Sequence, residues 1–122
     1  MTSGNISNEP QITDVAEARS GLKGIAEFVL MHNRAIANRI DDSVVRMVAG
    51  RPRLIRRARG YAPSAITLPA GFDDAPDLLA FGAELKSTFC LVKDGVAILS
   101  QHQGYLEDVA TFEDYQKNLR LY

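Results

Sequence analysis

Apolar residues recur at helical spacing near the start of the chain, at Val15, Ala18, Leu22 and Ile25. This spacing predicts a helix over about 15–23. Asp14 stands three residues before Glu17, so we expect its side chain to accept a hydrogen bond from the Glu17 N–H and to cap the helix. Gly24 is suited to end it, because glycine adopts the left-handed conformation common after helices.

A second helix is predicted at the C-terminal end of the chain. Thr111 and Asp114 have the spacing of a helix cap, and apolar residues follow on one face. Those residues are Phe112, Tyr115 and Leu119.

Two stretches in the first half have the pattern of strands. Residues 43–57 predict a hairpin, with a turn at Ala49–Pro52 and a returning strand from Arg53. The apolar run Phe28–Met31 is typical of a buried strand, although a helix continuing to His32 is an alternative.

The second half follows a stretch rich in glycine and proline over residues 60–76, which predicts a linker. An apolar run at Leu78–Gly82 then predicts a strand. Thr88–Val92 and Val96–Leu99 predict a hairpin around an Asp94-Gly95 turn.

Together these elements predict an α/β protein of the α+β type, built from two partial β-rich units. Each unit is a hairpin or short sheet with one helix, and we expect boundaries at 1–62 and 77–122 with a linker at 63–76. A unit of about 60 residues is marginally stable alone. We therefore expect the exposed strand edges to be covered by each other or by another copy, giving a homo-oligomer.

Composition narrows the class of protein. Hydrophobic residues make up 46% of the 122 residues and charged residues 24%, which is typical of a globular domain. No apolar run reaches the roughly 18 residues of a membrane span, and the first residues lack the pattern of a signal peptide. The single cysteine, Cys90, fits a reducing compartment, so we expect a cytoplasmic protein without membrane contact.

The net charge of −1 conceals an asymmetry along the chain. Residues 1–59 contain ten Lys/Arg against six Asp/Glu, whereas residues 60–122 contain four against nine. The change of sign coincides with the predicted linker.

The basic half contains a cluster of arginines, which recognise phosphate through two parallel hydrogen bonds. Alternation along a strand places Arg53 and Arg57 on one face and Arg56 on the other. A nucleotide site and a charged edge that blocks aggregation are equally compatible with this pattern. Binding of RNA is a further alternative, disfavoured because Tyr61 is the only nearby aromatic for base stacking. The cluster comprises Arg46, Arg51, Arg53, Arg56, Arg57 and Arg59.

Three other segments carry candidate chemistry. The hydroxyls and amide of residues 2–7 suit phosphate oxygens, although a polar chain end has the same composition. Residues 82–88 form a glycine-containing turn with Lys86 and two hydroxyls, but the spacing of a P-loop is absent. His102 follows a strand, where a structural histidine is the common case. With two histidines and no cysteine pair, a metal site within this chain is disfavoured.

Several motifs together resemble the hydrogenase-maturation carbamoyltransferases, the HypF family. Residues 1–62 resemble the C-terminal part of the YrdC-like domain, and residues from about 77 resemble the first strands of the following domain, of the actin/sugar-kinase superfamily. The motifs are Met1–Ser7, Leu30–Arg34, Asp41–Val45, Arg56–Pro63, Glu84–Phe89 and Ser100–His102.

The resemblance implies an enzyme that uses ATP, with Mg²⁺, and carbamoyl phosphate to form a carbamoyl-adenylate. It further implies transfer of the carbamoyl group to the C-terminal cysteine of the maturase HypE, as the source of the cyanide ligand of [NiFe]-hydrogenase. Other domains of that family are missing from this chain, so we expect the isolated chain to be inactive. The alternative function is a small nucleotide- or RNA-binding adaptor that uses the arginine-rich hairpin.

The resemblance also assigns residues. Family patterns imply nucleotide contacts by Ser3, Asn5, Ser43 and Arg56. They imply a phosphate site in the second domain at Lys86, Ser87, Thr88 and His102. The chain departs from the family patterns at Gly4, Asp42, Ser87 and Tyr105.

Overall fold

The computed structural model describes residues 4–6, 9–72 and 74–122. The chain forms two compact units, Met1–Arg39 and Ile40–Tyr122. In the first unit, helix α1 spans Val15–Gly21. The predicted cap is confirmed, because Asp14 Oδ1 accepts hydrogen bonds from Ala16 N at 2.8 Å and Glu17 N at 2.9 Å. The helix ends two residues earlier than predicted, with Leu22 as its C-terminal cap.

The predicted buried strand at 28–31 is wrong. These residues form neither strand nor helix, and the side chains of Phe28 and Leu30 are 90% and 100% exposed. A strand requires a hydrogen-bonded partner, and none of the described strands lies in this unit. The apolar pattern alone therefore could not produce a strand here.

The second unit begins with the predicted hairpin. Strand β1 spans Val44–Val48 and β2 spans Arg51–Arg56, in an antiparallel pair. Its turn contains only Ala49 and Gly50, both with positive φ, as the tight type I′ turn requires. The strand therefore resumes at Arg51, two residues before the predicted position.

A four-stranded antiparallel sheet follows, in the order β3-β6-β5-β4. Its strands are β3 (Ile66–Thr67), β4 (Leu78–Phe81), β5 (Phe89–Lys93) and β6 (Val96–Leu99). The predicted Asp94-Gly95 turn is confirmed, with φ angles of 50° and 73°. Strand β3 lies within the stretch expected to be a linker and pairs with β6, so Ile66–Thr67 of that stretch are part of the sheet.

Helix α2 spans Val109–Leu121 and begins earlier than predicted. The cap is Asp108, whose carboxylate accepts from Thr111 N at 2.8 Å, so the expected cap at Thr111 is wrong. Asp108 is the cap and Thr111 is not, because Val109 and Ala110 are already helical and Thr111 therefore lies inside the helix. Tyr115 on this helix is buried against Phe89 of β5, with the ring centroids 5.8 Å apart and the rings edge to face.

The fold class is therefore α+β, with antiparallel sheets of two and four strands and two helices. Phe89, only 1% exposed, is the largest fully buried side chain among the described residues. Cys90 lies in β5 as predicted and is half-buried. In the described part of the chain, no helix is long and apolar enough to cross a membrane.

Candidate functional site

The end of the arginine-rich hairpin lies against the segment that follows β6. The backbone N–H of His102 donates to the carbonyl oxygen of Arg57 at 2.9 Å. On the other side of this segment, Gln103 N donates to Ser87 O at 2.9 Å, and Ser87 N donates to Gly104 O at 3.0 Å. Residues 102–104 are thus placed between the end of β2 and the loop before β5.

This arrangement gathers three of the predicted site residues. Arg56 ends β2, Lys86 precedes the bridge between Ser87 and Gly104, and His102 lies between these two segments. The sequence analysis assigned Arg56 to one candidate site and the other two residues to another. The structure brings the backbone segments of all three together, and the charges of Arg56 and Lys86 both act on His102. We refer to these three residues as the cationic cluster.

The loop that carries Lys86 is closed at its base. Gly82 N donates to Thr88 O at 2.8 Å, and a Cβ at position 82 would lie only 2.6 Å from that same oxygen. Lys86 itself adopts a left-handed conformation with φ of 54°, which is uncommon for a residue other than glycine. Strained backbone of this kind concentrates at ligand sites.

Ser87 is 1% exposed, and its Oγ has no hydrogen-bond partner among the described residues. A buried hydroxyl without a partner is energetically unfavourable, because it has lost its hydrogen bonds to water. The unpartnered oxygen lies next to the strained Lys86, within the closed loop.

The pKa of His102 is affected by the charged residues of the cluster. Burial lowers the pKa of its imidazole, Asp41 acts in the opposite direction, and Arg56 and Lys86 lower the pKa further. The neutral imidazole is therefore favoured near pH 7. A bound anion would oppose these effects and favour the protonated, hydrogen-bond-donating form.

The guanidinium of Arg56 contacts the segment before β1. Its Nε donates to Asp42 O at 2.8 Å, and its Nη1 lies 3.8 Å from Asp41 Oδ2. A β-bulge shifts the register so that Val44 pairs with Arg56 while Arg46 pairs with Arg53. Arg56 and Arg53 therefore share a face, and the prediction that they lie on opposite faces is wrong, because the bulge inserts an extra residue.

Ser43 is held by the backbone. Its hydroxyl donates to Arg59 O at 2.9 Å and accepts from Ala58 N at 2.8 Å. These two bonds tie the start of β1 to the residues that follow β2.

The remaining predicted nucleotide contacts belong to the N-terminal unit. Asn5 Nδ2 donates to Ile6 O and Glu9 O, each at 2.9 Å, and its buried Oδ1 has no partner among the described residues. Ser3 lies outside the described residues. The same unit contains an open cavity of about 530 Å³, between the start of α1 and residues 30–36, which sequence reasoning did not predict.

Sequence reasoning also missed the roles of Asp41 and Arg57. Both residues fall within the motifs of the family resemblance, Asp41–Val45 and Arg56–Pro63, but those motifs assigned no role to either. Their importance comes from contacts with distant residues. Within the described residues, no group of three or more His, Cys, Asp or Glu is arranged to hold a metal ion.

Comparison with known families divides the chain into two matched regions. Residues 1–58 match the Sua5/YciO/YrdC family, described as Telomere recombination, and residues 73–122 match the HypF Kae1-like domain.

Single proteins match across both regions. The chain is 47% identical over 115 residues to the carbamoyltransferase HypF of Rhodobacter capsulatus and 42% identical over 116 residues to that of Synechocystis sp.. These alignments cover 94% and 95% of this chain but only 15% of each relative.

Solved structures give the same result. A crystal structure of full-length HypF in the phosphate- and nucleotide-bound form matches 98% of this chain, with a TM-score of 0.83 and 43% identity, over 19% of that structure. The crystal structure of T. kodakarensis HypF matches 98% of this chain, with a TM-score of 0.85 and 38% identity, over 15% of that structure. Over nearly its whole length the chain therefore matches a segment of HypF carbamoyltransferases, which runs from the C-terminal part of the YrdC-like domain into the start of the Kae1-like domain.

Proposed function

We propose that this chain supplies phosphoryl-binding residues to a carbamoyltransferase that activates carbamoyl phosphate with ATP. Two observations outside the site support this: the relatives are carbamoyltransferases, and one solved relative holds phosphate and nucleotide. Since the chain spans about 15% of the curated relatives, the complete reaction requires residues that this chain does not contain.

The observation that carries the proposal is the convergence of Arg56, Lys86 and His102 from three separate segments. A guanidinium donates two parallel hydrogen bonds to a phosphate, and an ammonium adds a compact positive charge. The hydroxyls of Ser87 and Thr88 supply neutral donors in the same loop. This set of groups matches the phosphoryl oxygens that ATP and carbamoyl phosphate have in common.

In the proposed reaction, ATP as its Mg²⁺ complex and carbamoyl phosphate are substrates. One water is consumed, and inorganic phosphate from carbamoyl phosphate and pyrophosphate from ATP leave as the carbamoyl-adenylate forms. The sulfur of the C-terminal cysteine of HypE then attacks the carbamoyl carbon. The new S–C bond forms as the bond to the adenylate oxygen breaks, AMP leaves and the thiol proton is released. Cations positioned around the phosphoryl group would stabilise the negative charge that builds up on the leaving oxygen.

Ser3, Asn5 and Ser43 are proposed to contact the nucleotide, following the family pattern. The unpartnered Oδ1 of Asn5 supports this for one of them, because it is an acceptor available to a ligand. The hydroxyl of Ser43 is already engaged by two backbone groups, which favours a role in shaping the site.

We also propose a domain boundary within residues 63–76, supported by family matches that end at 58 and resume at 73. Residues from Ile66 onward would then belong with the second domain, since β3 pairs with β6.

The phosphoryl site is tested by titrating the chain with inorganic pyrophosphate while the His102 Cε1–H resonance is followed by NMR. We expect a saturable shift, with affinity about tenfold weaker in Arg56→Gln and in Lys86→Gln, since each removes one charge-assisted contact. Arg51→Gln, at the turn end of β2, and Lys93→Gln, at the end of β5, make the same charge changes away from the cluster and serve as controls. Equal weakening in all four variants would show nonspecific attraction and contradict the proposal.

The inactivity of the isolated chain is tested by carbamoyl-phosphate-dependent exchange of pyrophosphate into ATP. We expect no exchange by the purified chain. Exchange above the level of a Lys86→Gln control would contradict this expectation.

RNA binding by the hairpin is a second candidate, favoured by one observation. Arg46 and Arg53 are direct cross-strand partners, both exposed, and neither makes an ion pair with a described residue. An RNA-binding function predicts tight binding that weakens steeply with salt, through release of counterions. An ATP-selective interaction with little dependence on salt would favour the carbamoyltransferase.

A further inference from the structure

Arg57 connects the hairpin to its surroundings in two directions. Its backbone oxygen accepts the hydrogen bond from His102 N at 2.9 Å. Its guanidinium Nη2 donates to Tyr61 O and to Ser64 O, each at 2.8 Å. Both N–H groups of Nη2 are therefore used on backbone carbonyls of the loop that follows the hairpin.

Together with the pairing of β3 and β6, these contacts join the hairpin to the four-stranded sheet along two paths that meet at Arg57. The loop anchored by the guanidinium leads into β3, β3 pairs with β6, and the chain leaving β6 returns to Arg57 through His102. One residue thus holds both ends of the connection between the hairpin and the sheet. Its neighbour Arg56 is the residue through which the hairpin enters the cationic cluster.

The guanidinium of Arg57 is anchored in the protein. Nη2 donates to the loop, and Nε is buried. Arg56 has a half-buried guanidinium at the surface of the cluster, with 36% of its side chain exposed. The two adjacent arginines therefore have different surroundings and different tasks.

We infer that Arg57 is a positioning residue, which fixes the end of the hairpin against the segment after β6 so that Arg56 and His102 bind the same phosphoryl group. This inference rests on the proposed function, because it needs that group to bind at the cluster. Loss of the Arg57 side chain should therefore lower the affinity for the phosphoryl group because Arg56 is no longer held in position.

A double-mutant cycle tests this dependence, with inorganic pyrophosphate as the probe and the whole chain as the protein. We expect Arg57→Met to weaken binding about tenfold, a typical coupling for residues that act together. In the Arg56→Gln background, the same change should weaken binding less than about twofold, because the contact it positions is already lost. A merely structural role would lower affinity by the same factor in both backgrounds.

Two further variants complete the test. Arg57→Lys retains donors for the loop carbonyls and should recover part of the affinity, and it replaces Arg57→Met if that variant does not fold. Arg51→Met, at an exposed position at the turn end of the same hairpin, should bind as the wild type does. Pairing of β5 with β6, followed through the amide resonances of Cys90 and Leu99, reports whether each variant is folded.

The outcomes separate the two proposals. If the wild type does not bind pyrophosphate, the proposed phosphoryl site is overturned and the role of Arg57 with it. If the wild type binds but Arg57→Met binds equally well, or loses the same factor in both backgrounds, only the positioning role is overturned.

Discussion

The backbone N–H of His102 donates to the carbonyl oxygen of Arg57 over 2.9 Å. Through this bond, the end of an arginine-rich hairpin and the segment after β6 meet, although they are more than forty positions apart in the chain. The contact brings the strand that ends at Arg56 against the segment of His102, and this is the basis of the proposed phosphoryl site.

Ser43→Ala should destabilise the second unit. The substitution removes a hydroxyl that joins Arg59 O and Ala58 N, and it leaves both backbone groups without that partner. We expect the free energy of unfolding to fall by about 1–3 kcal/mol, measured by urea denaturation. Ser64→Ala, at an exposed position, is the control. If the two variants are equally stable, the hydroxyl does not hold the hairpin.

Ser87→Ala should have the opposite effect on stability. The Ser87 hydroxyl is buried without a partner among the described residues, so its removal relieves an unfavourable burial. We expect stability equal to or greater than that of the wild type in urea denaturation, together with weaker binding of pyrophosphate. Loss of stability comparable to that of Ser43→Ala would show that the Ser87 hydroxyl has a partner in solution.

Arg46→Glu should stabilise the hairpin. Arg46 lies directly opposite Arg53, and like charges at such positions repel. Converting the pair to opposite charges should raise the free energy of unfolding by about 0.2–1 kcal/mol at low salt. The double variant Arg46→Glu/Arg53→Glu restores repulsion and should lose the gain. A gain that persists in the double variant would point to a cause other than the cross-strand pair.

Asp108 should make the stability of α2 dependent on pH. Hydrogen bonds from Thr111, first from its backbone N–H and then from its hydroxyl, lower the pKa of the Asp108 carboxyl. Since the pKa is lower in the folded chain than in the unfolded chain, the stabilisation is complete above the ordinary carboxyl pKa. It is lost as the pH falls through the lowered value.

Thermal unfolding of Asp108→Asn measures this effect, because asparagine also caps helices but does not ionise in this range. We expect the wild type to lose its advantage over Asp108→Asn in acid. Glu107→Gln, an exposed neighbour, should show no such change relative to the wild type. A difference between wild type and Asp108→Asn that is constant with pH would contradict the capping role of the ionised carboxylate.

Several local features were predictable from sequence. The Asp14 cap, the Asp94-Gly95 turn and the bounds of β6 are all confirmed. The cap and the turn each depend on groups within about four positions of one another, so the pattern contains the whole interaction. The bounds of β6 follow from the turn, which pairs β6 with the adjacent β5. The cap of α2 was misplaced because Asp108 and Thr111 are both good caps, and only the conformation of the intervening residues decides between them.

The composition of the candidate site was predictable, but its arrangement was not. Lys86, Ser87 and His102 were singled out by type and motif, and Arg56 was assigned to a different site. The bulge that turns Arg56 to the face of Arg53, and the contact between Arg57 and His102, depend on pairing with distant residues. The apolar run at 28–31 was predicted to be a buried strand from its local pattern alone. It pairs with no described strand, and Phe28 and Leu30 are exposed.

The sequence by itself determined the family, the α+β class and the local turns and caps, since these reside in motifs and short-range hydrogen bonds. Only the tertiary structure decided that the segments carrying Arg56, Lys86 and His102 lie against one another, that β3 joins the second sheet, and that Arg57 bonds to both sides of that connection. The reason is physical: a strand register and a long-range hydrogen bond are set by which backbone groups find partners, and no single segment specifies its partner alone.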